Sequence, residues 1–583
     1  MSASRHRAQL IQHCAEAARA IRDECTAIRS AEEVEAVSLA GCGHALVELL
    51  SRQAQQISLC YRELESTTAT ANVVGPISRE KRALVLKRLE DIASIAYAKF
   101  YAYLFKDLPV CWRQLYTDAS ILKFCFVLLR SSFLAAPGTE LEDADGAAGR
   151  DAEDLDALVE TLDLALILAG AAGESRGRRW IDKALELLRL VWLETAESND
   201  SGSDAAILGG RPAKRVKLAD TLADNVRGGI HHDETFSTEE PFTPPVKHPI
   251  KRVEALSMEA FQTHMDRPQD PKLGPEPLVI RNALKDWPAL STHPWNKPSY
   301  LLSQTFDGRR LVPVEIGRSY VDEDWGQKII HFGEFLRTYI DPSLPPISLF
   351  PTSPHLNPNF LTDSDPNPIS DTTAPSSSSP QVPKQTAYLA QHPLLTQLPA
   401  LRNDILIPDY CYTSPPLHPT DPAADQPELE APLLNTWFGP PGTITPLHTD
   451  PYHNILAQAV GRKYVRLYAP TQTARMAARG REGGVEMGNT SRVDVGVVEG
   501  WDEARGGGYD GVDEGEDGAG DEDMDMNMDD EEGKMSEQDI AAFREIPFVD
   551  CILEPGDALY IPIGWWHYVR GLSVSFSVSF WWN

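Results

Sequence analysis

The chain predicts an α+β protein in which an all-α first third precedes a β-rich barrel or double-sheet jelly roll interrupted by disordered insertions. Three observations carry this reading. Apolar residues recur at helical spacing up to about residue 197. From about residue 250 short strand-like runs are split by turns. The C-terminal run Leu572–Trp581 alternates Ser with Val or Phe, so one face is apolar and the other is lined with hydroxyls. Many short strands of this kind suit a barrel or jelly roll, with that last strand dividing a core from a polar cavity.

The elements follow in order. Val85, Leu89, Ile92, Ala96 and Phe100 step by three and four along one helix face, and Leu155–Leu168 and Trp180–Leu193 repeat the pattern. Gly75-Pro76 and the Gly/Ala/acidic stretch 137–152 are expected to break the helices. Residues 1–197 therefore read as a helical packing or partner-binding domain. Residues 198–245 read as a linker, and within it Pro212-Ala-Lys-Arg-Val-Lys-Leu218 is a short basic run in polar sequence. Residues 246–583 form the β domain. Arg252–Met265 looks helical, Leu311–Ile316 looks like a strand, and Lys463–Tyr468 is a strand with Lys463, Val465 and Leu467 on one face. Two stretches, 343–384 rich in Pro and Ser and 474–540 rich in Gly, Asp, Glu and Met, cannot bury enough apolar surface to offset ordering entropy. Both are expected to be disordered loops on the barrel rim.

Composition narrows the function classes. Net charge is −31 over 583 residues, and sixteen Asp/Glu against one Arg lie between Glu499 and Glu532. Such acidity argues against coating nucleic acid through phosphate contacts, so no direct nucleic-acid partner is expected. The acidic loop is instead a candidate contact for basic proteins. Eight Cys without a CxxC pair suit buried free thiols in a reducing compartment. No apolar signal-peptide core opens the chain, and no uncharged run reaches the ~18–20 residues that cross a bilayer. A soluble intracellular protein without a membrane partner is expected.

The chemistry lies in three residues: His448 and Asp450 in PLHTDPYHN, and His567 in IPIGWWHYV. Two imidazoles and one carboxylate can hold non-haem Fe(II) and leave positions open for a co-substrate and O2. The His-x-Asp pair alone is weak, because 15 His and 85 acidic residues would place about two such spacings by chance. His231-x-Asp233, His232-x-Glu234 and His264-x-Asp266 are read as solvated surface. His448 and Asp450 differ by context: they follow the strand-like WFGPPGTITPL, and residues i and i+2 of an extended segment point the same way. His567 comes 117 residues after Asp450 because an insertion separates them. Lys463 on the interior face of a strand is costly unless paired, and a bound dicarboxylate would explain it. Thr445 and Asn454 flank the triad as hydroxyl and amide groups, and Tyr388 adds a phenol.

WFGPPGTITPLHTDPYHNILAQAVGRKYVRLY followed by LEPGDALYIPIGWWHYVRGLSVSFSVSFWW resembles the JmjC-domain Fe(II)/2-oxoglutarate oxygenases, and within them the branch called lysine-specific demethylase 8. The likeness covers roughly 250–583 apart from the insertions. It implies a double-stranded β-helix, the cupin-like jelly roll, with His448, Asp450 and His567 as iron ligands. It also implies 2-oxoglutarate contacts from Tyr388, Thr445, Asn454 and Lys463, and Fe(II), 2-oxoglutarate and O2 as cofactor and co-substrates. The same branch places an acidic residue and an aromatic in its substrate pocket, positions that Glu315 and Trp325 fit, with Trp437 as a further wall. A carboxylate beside an indole suits a guanidinium.

The sequence reading is therefore a 2-oxoglutarate-dependent protein hydroxylase acting on an arginine of a nuclear or ribosome-related protein. Histone methyl-lysine demethylation by the same chemistry is the alternative. A non-catalytic chromatin-associated binding protein and a zinc cupin isomerase are the other classes weighed. The basic run at 212–218 resembles a nuclear-import signal, so the nucleus is the expected location, with the cytoplasm also open.

Overall fold

The computed structural model describes residues 3–30, 39–67, 79–103, 107–131, 133, 147–173, 176–200, 234–321, 325–344, 386–482, 485–503 and 537–583. Six helices make up the first part: α1 (Ala3–Ser30), α2 (His44–Thr67), α3 (Arg79–Phe100), α4 (Val110–Leu128), α5 (Ala147–Ala169) and α6 (Gly177–Asp200). Their apolar stripes close one core around α4, where Leu115, Ile121, Leu122, Phe124 and Leu128 are buried. Helix α5 begins inside the stretch 137–152 that composition marked as a break.

The second part holds fifteen strands among the described residues. They are β1 (Arg252–Glu254), β2 (Leu278–Arg281), β3 (Leu311–Ile316), β4 (Gly326–His331), β5 (Ala387–His392), β6 (Leu433–Gly439), β7 (Ile444–His448), β8 (His453–Val460), β9 (Lys463–Tyr468), β10 (Arg481–Glu482), β11 (Val485–Glu486), β12 (Val549–Leu553), β13 (Ala558–Ile561), β14 (Trp566–Gly571) and β15 (Ser575–Trp582). Nine form one sheet in the order β1-β2-β13-β8-β15-β6-β5-β3-β4, and four form a second in the order β12-β9-β14-β7. Between the sheets Leu456, Leu559 and Ile561 of the large one meet Val465, Leu467, Leu553 and Val569 of the small one. This is the double-sheet jelly roll. The Arg252–Met265 run divides into β1 and a short helix from Met258 to Asp266, whose N-cap Ser257 accepts the Ala260 N–H.

The alternation in β15 works as the sequence suggested. Phe576, Val578, Phe580 and Trp582 enter the core behind the large sheet. Ser577 and Ser579 face inward, where Ser577 donates to Gln458 Oε1 at 2.7 Å and Ser579 accepts the Trp437 indole N–H at 3.0 Å.

Three expected boundaries shift. Residues 234–245, assigned to a linker, strap the barrel: Phe236 is buried against Phe438, and Glu240 pairs with Arg462 at 2.8 Å. The second insertion is folded over 474–482 and 485–503, because Met476, Val493, Val495 and Val498 form a core on the outer face of the small sheet. Two carboxylates counted with the acidic loop are structural. Glu499 meets the buried Arg466 at 2.7 Å, and Asp502 meets Arg570 at 2.7 Å. Residues 345–385 and 504–536, like the basic run 212–218, lie outside the described residues.

Candidate metal centre and adjoining cavity

Strands β7 and β14 pair antiparallel with His567 opposite His448. Strict alternation would put Thr445 and His448 on opposite faces. A register shift between His567 and Val569 opposes one residue with two and turns both inward. Strand β7 ends at His448, so Asp450 sits in the turn to β8 rather than on an extended segment.

The ligand-bearing atoms of His448, Asp450 and His567 lie within 4.8 Å of one another. His448 Nε2 is 3.5 Å from Asp450 Oδ1, and His567 Nε2 is 3.5 Å from Asp450 Oδ2. Each Nδ1 faces a backbone carbonyl two residues upstream, at 2.8 Å for His448 and Pro446 and at 3.1 Å for His567 and Trp565. Donation to those carbonyls fixes the tautomer and leaves both Nε2 lone pairs converging beside the carboxylate. Burial alone would raise Asp450, but the two imidazoles outweigh it and hold the carboxyl well below its usual range. Two imidazoles and one carboxylate converging with an open side suit a divalent iron.

Lys463 is 1 % exposed at the floor of the same space, and burial pulls its ammonium down to about 7. Its described partner is the Tyr388 hydroxyl, to which it donates at 3.3 Å. The Tyr388 hydroxyl is also hydrogen-bonded with Thr445. Asn454 donates to Asp450 at 3.4 Å and keeps a buried Oδ1 without a partner. A buried cation ringed by a phenol, a hydroxyl and an amide fits a small dicarboxylate.

Above these groups a cavity of about 240 Å³ opens onto His448 and Asp450. Glu315 and Trp437 line it, together with Tyr388 and Thr445. Burial pushes the Glu315 carboxyl up to about 7, partly offset by the indole N–H that Trp325 donates to it. Trp325 is itself 36 % exposed and is not among the residues that line the cavity. Tyr320, Gln391, Asn489 and Trp581 also line the cavity and were missed. Trp581 was legible, since it shares the parity of Ser577 and Ser579. Asn489 was hidden in a segment that composition marked as disordered.

Of the other His-x-acid pairs, only His264-x-Asp266 lies wholly within the described residues, and it is not among the groups that converge on the site. His264 is part-buried rather than solvated and bonds the Glu276 carbonyl at 2.9 Å. Residues 231–233 lie outside the described residues.

Comparison with known proteins agrees with this geometry. A family model described as a cupin-like domain matches residues 272–583. Lysine-specific demethylase JMJ30 of Arabidopsis thaliana is 35% identical over 336 residues, 57% of this chain and 55% of that protein. Lysine-specific demethylase 8 of Danio rerio is 32% identical over 358 residues, covering 59% of this chain and 64% of its own length. Jumonji C domain-containing protein 5 of Drosophila melanogaster is 30% identical over 336 residues, covering 57% and 60%. The chain thus spans a little over half the length of these relatives. With the family model covering more than half of the chain, the chain belongs to the cupin-like domain family, and within it is similar to JmjC proteins named lysine-specific demethylase 8.

Proposed function

We propose that the chain is an Fe(II)- and 2-oxoglutarate-dependent oxygenase that oxidises a cationic side chain of a protein, with N-methyl-lysine the leading substrate. The observation that carries this reading is the cavity onto His448 and Asp450, in which one carboxyl, Glu315, stands among aromatic walls. Bound Fe(II) and 2-oxoglutarate supply oxygen activation coupled to release of succinate and carbon dioxide. His448, Asp450 and His567 would grip the metal from one side. Lys463 would neutralise the far carboxylate of 2-oxoglutarate, with Tyr388, Thr445 and Asn454 orienting it. Trp437 and Trp581 keep water from the reacting side chain. Glu315, once ionised, holds the substrate's positive charge, and the indole faces add cation–π attraction.

Names carried by the relatives support methyl-lysine over the arginine suggested by the residues alone, since two of the three are called lysine-specific demethylases. Arginine hydroxylation is the second reading. It is favoured by the Glu315 carboxyl in the cavity wall, whose two oxygens suit a planar two-pronged donor. The proposed place of action is the nucleus, on the strength of the basic run at 212–218.

The test is the mass change on methyl-lysine and arginine peptides offered with Fe(II), ascorbate and 2-oxoglutarate, with Asp450→Ala as blank. Loss of a methyl group with formaldehyde supports the demethylase. Gain of one oxygen on arginine supports the hydroxylase. Turnover of 2-oxoglutarate with neither change would remove both cationic substrates.

A further inference from the structure

Strand β3, which carries Glu315, is completed by the helical domain. Strands β3 and β5 pair at Glu315↔Tyr388 and Ile316↔Ala387. The same register carried further would set Leu311 opposite His392. There β5 turns away: Gln391 has a φ of 48°, and the ladder with β6 shifts between Leu389 and His392. The backbone groups of Leu311 on that side need other partners, because buried amides are rarely left unpaired.

Helix α5 supplies one of them, and Gln397, itself held by α5, supplies the other. The Leu311 N–H donates to Asp163 Oδ2 at 2.8 Å, and Gln397 Nε2 donates to the Leu311 carbonyl at 2.8 Å. Asp163 is fully buried and also takes the Arg310 guanidinium at 2.6 and 2.9 Å and the Gln397 amide at 3.1 Å. Gln397 reaches His392 at 2.7 Å, so one carboxylate closes the gap between the two strand ends. Asp156 and Glu160, on the same face of α5, pair with Arg309 at 2.7 Å and His331 at 3.1 Å. Phe306, just upstream with a φ of 53°, is buried in the helical core beside Trp192.

We infer that Asp163 is a positioning residue for the substrate cavity: through Arg310 and Leu311 the helical domain sets the strand that presents Glu315. The inference rests on the proposed reading that Glu315 receives the substrate cation. It separates substrate affinity from cofactor affinity, because none of the direct partners of Asp163 belongs to β7, β14 or the turn that carries the triad.

The experiment uses the full chain and Asp163→Asn, which keeps the shape of the side chain but removes its charge. Hydrogen exchange of the substrate-free protein is expected to quicken over residues 311–316, while iron content and 2-oxoglutarate affinity stay within about twofold. The peptide KM is expected to rise about tenfold with kcat changed less, as loose positioning does. A merely structural role would instead lower kcat in step with the folded fraction and leave the peptide KM alone. Should Asp163→Asn fail to fold, Glu160→Gln at the edge of the same face is expected to give the same pattern at about two- to threefold. Unchanged exchange over 311–316 in a folded variant overturns the inference. Quickened exchange in a protein whose wild type oxidises no cationic peptide supports the positioning role and strikes the functional reading alone.

Discussion

The metal centre and the cavity above it are built in opposite ways. The triad comes from two paired strands and one turn, and each imidazole is aimed by a carbonyl two residues away. The cavity draws Glu315 from β3, Tyr320 from the loop after it, Gln391 from β5, Trp437 from β6, Asn489 from a folded insertion and Trp581 from β15. On the proposed reading, the difference teaches that the reacting chemistry is local, while the choice of substrate is spread over the whole domain and reaches into the helical one. A change at the first should act on iron and co-substrate. A change at the second should act on the peptide.

The strongest break is Asp450→Ala. Two imidazoles alone do not complete the ligand set, so iron content and turnover are expected to fall to background, read by metal analysis and succinate release. Retained iron would show that the centre is less local than its geometry implies. Next is Arg310→Met, which leaves Asp163 buried without its cation. A loss of about 3–5 kcal/mol in unfolding free energy is expected by denaturant titration. A loss below ~1 kcal/mol would mean that the two domains are not coupled there.

Lys463→Met sharpens the contrast within the floor of the site. It should cost about 2–5 kcal/mol of 2-oxoglutarate affinity by calorimetry, yet stabilise the ligand-free protein by removing a buried cation. The sign follows from a folded value of about 7 against an ordinary 10.5. Between those values the unfolded chain binds the extra proton, so the contribution of Lys463 to stability rises with pH. The melting-temperature gap between variant and wild type should therefore narrow from pH 7 to 10. The affinity for 2-oxoglutarate should weaken over the same rise, as the ammonium loses its proton.

Glu315→Gln probes the wall. With the wild-type carboxyl at about 7, kcat/KM for a cationic peptide should climb as pH rises through 7, because ionisation creates the partner charge. The variant should be flat over that range and about tenfold lower at pH 8, the size of one hydrogen bond to a charged group. A pH profile shared by both proteins would remove Glu315 from substrate recognition. Asn489→Ala is the mildest: its amide holds the Thr449 carbonyl at 3.2 Å beside the triad. A two- to fivefold rise in peptide KM is expected, with 2-oxoglutarate affinity unmoved.

By itself the sequence determined the parts whose cause is periodic or local. The parity that puts Lys463 beside Val465 and Leu467 and the Ser/apolar alternation of β15 both describe faces of single segments. A strand's side-chain direction depends on little else. Tertiary structure decided the rest. Thr445 joins His448 inside only through a bulge opposite Tyr568. Residues 474–482 and 485–503 fold although Gly and acidic residues dominate the longer stretch, because four apolar side chains find a sheet face to cover. Asp163 and Arg310 meet across 147 positions, a pairing that no window of sequence contains. Periodicity reports which face of a segment is apolar; only the packed chain says what that face, or a buried charge upon it, will meet.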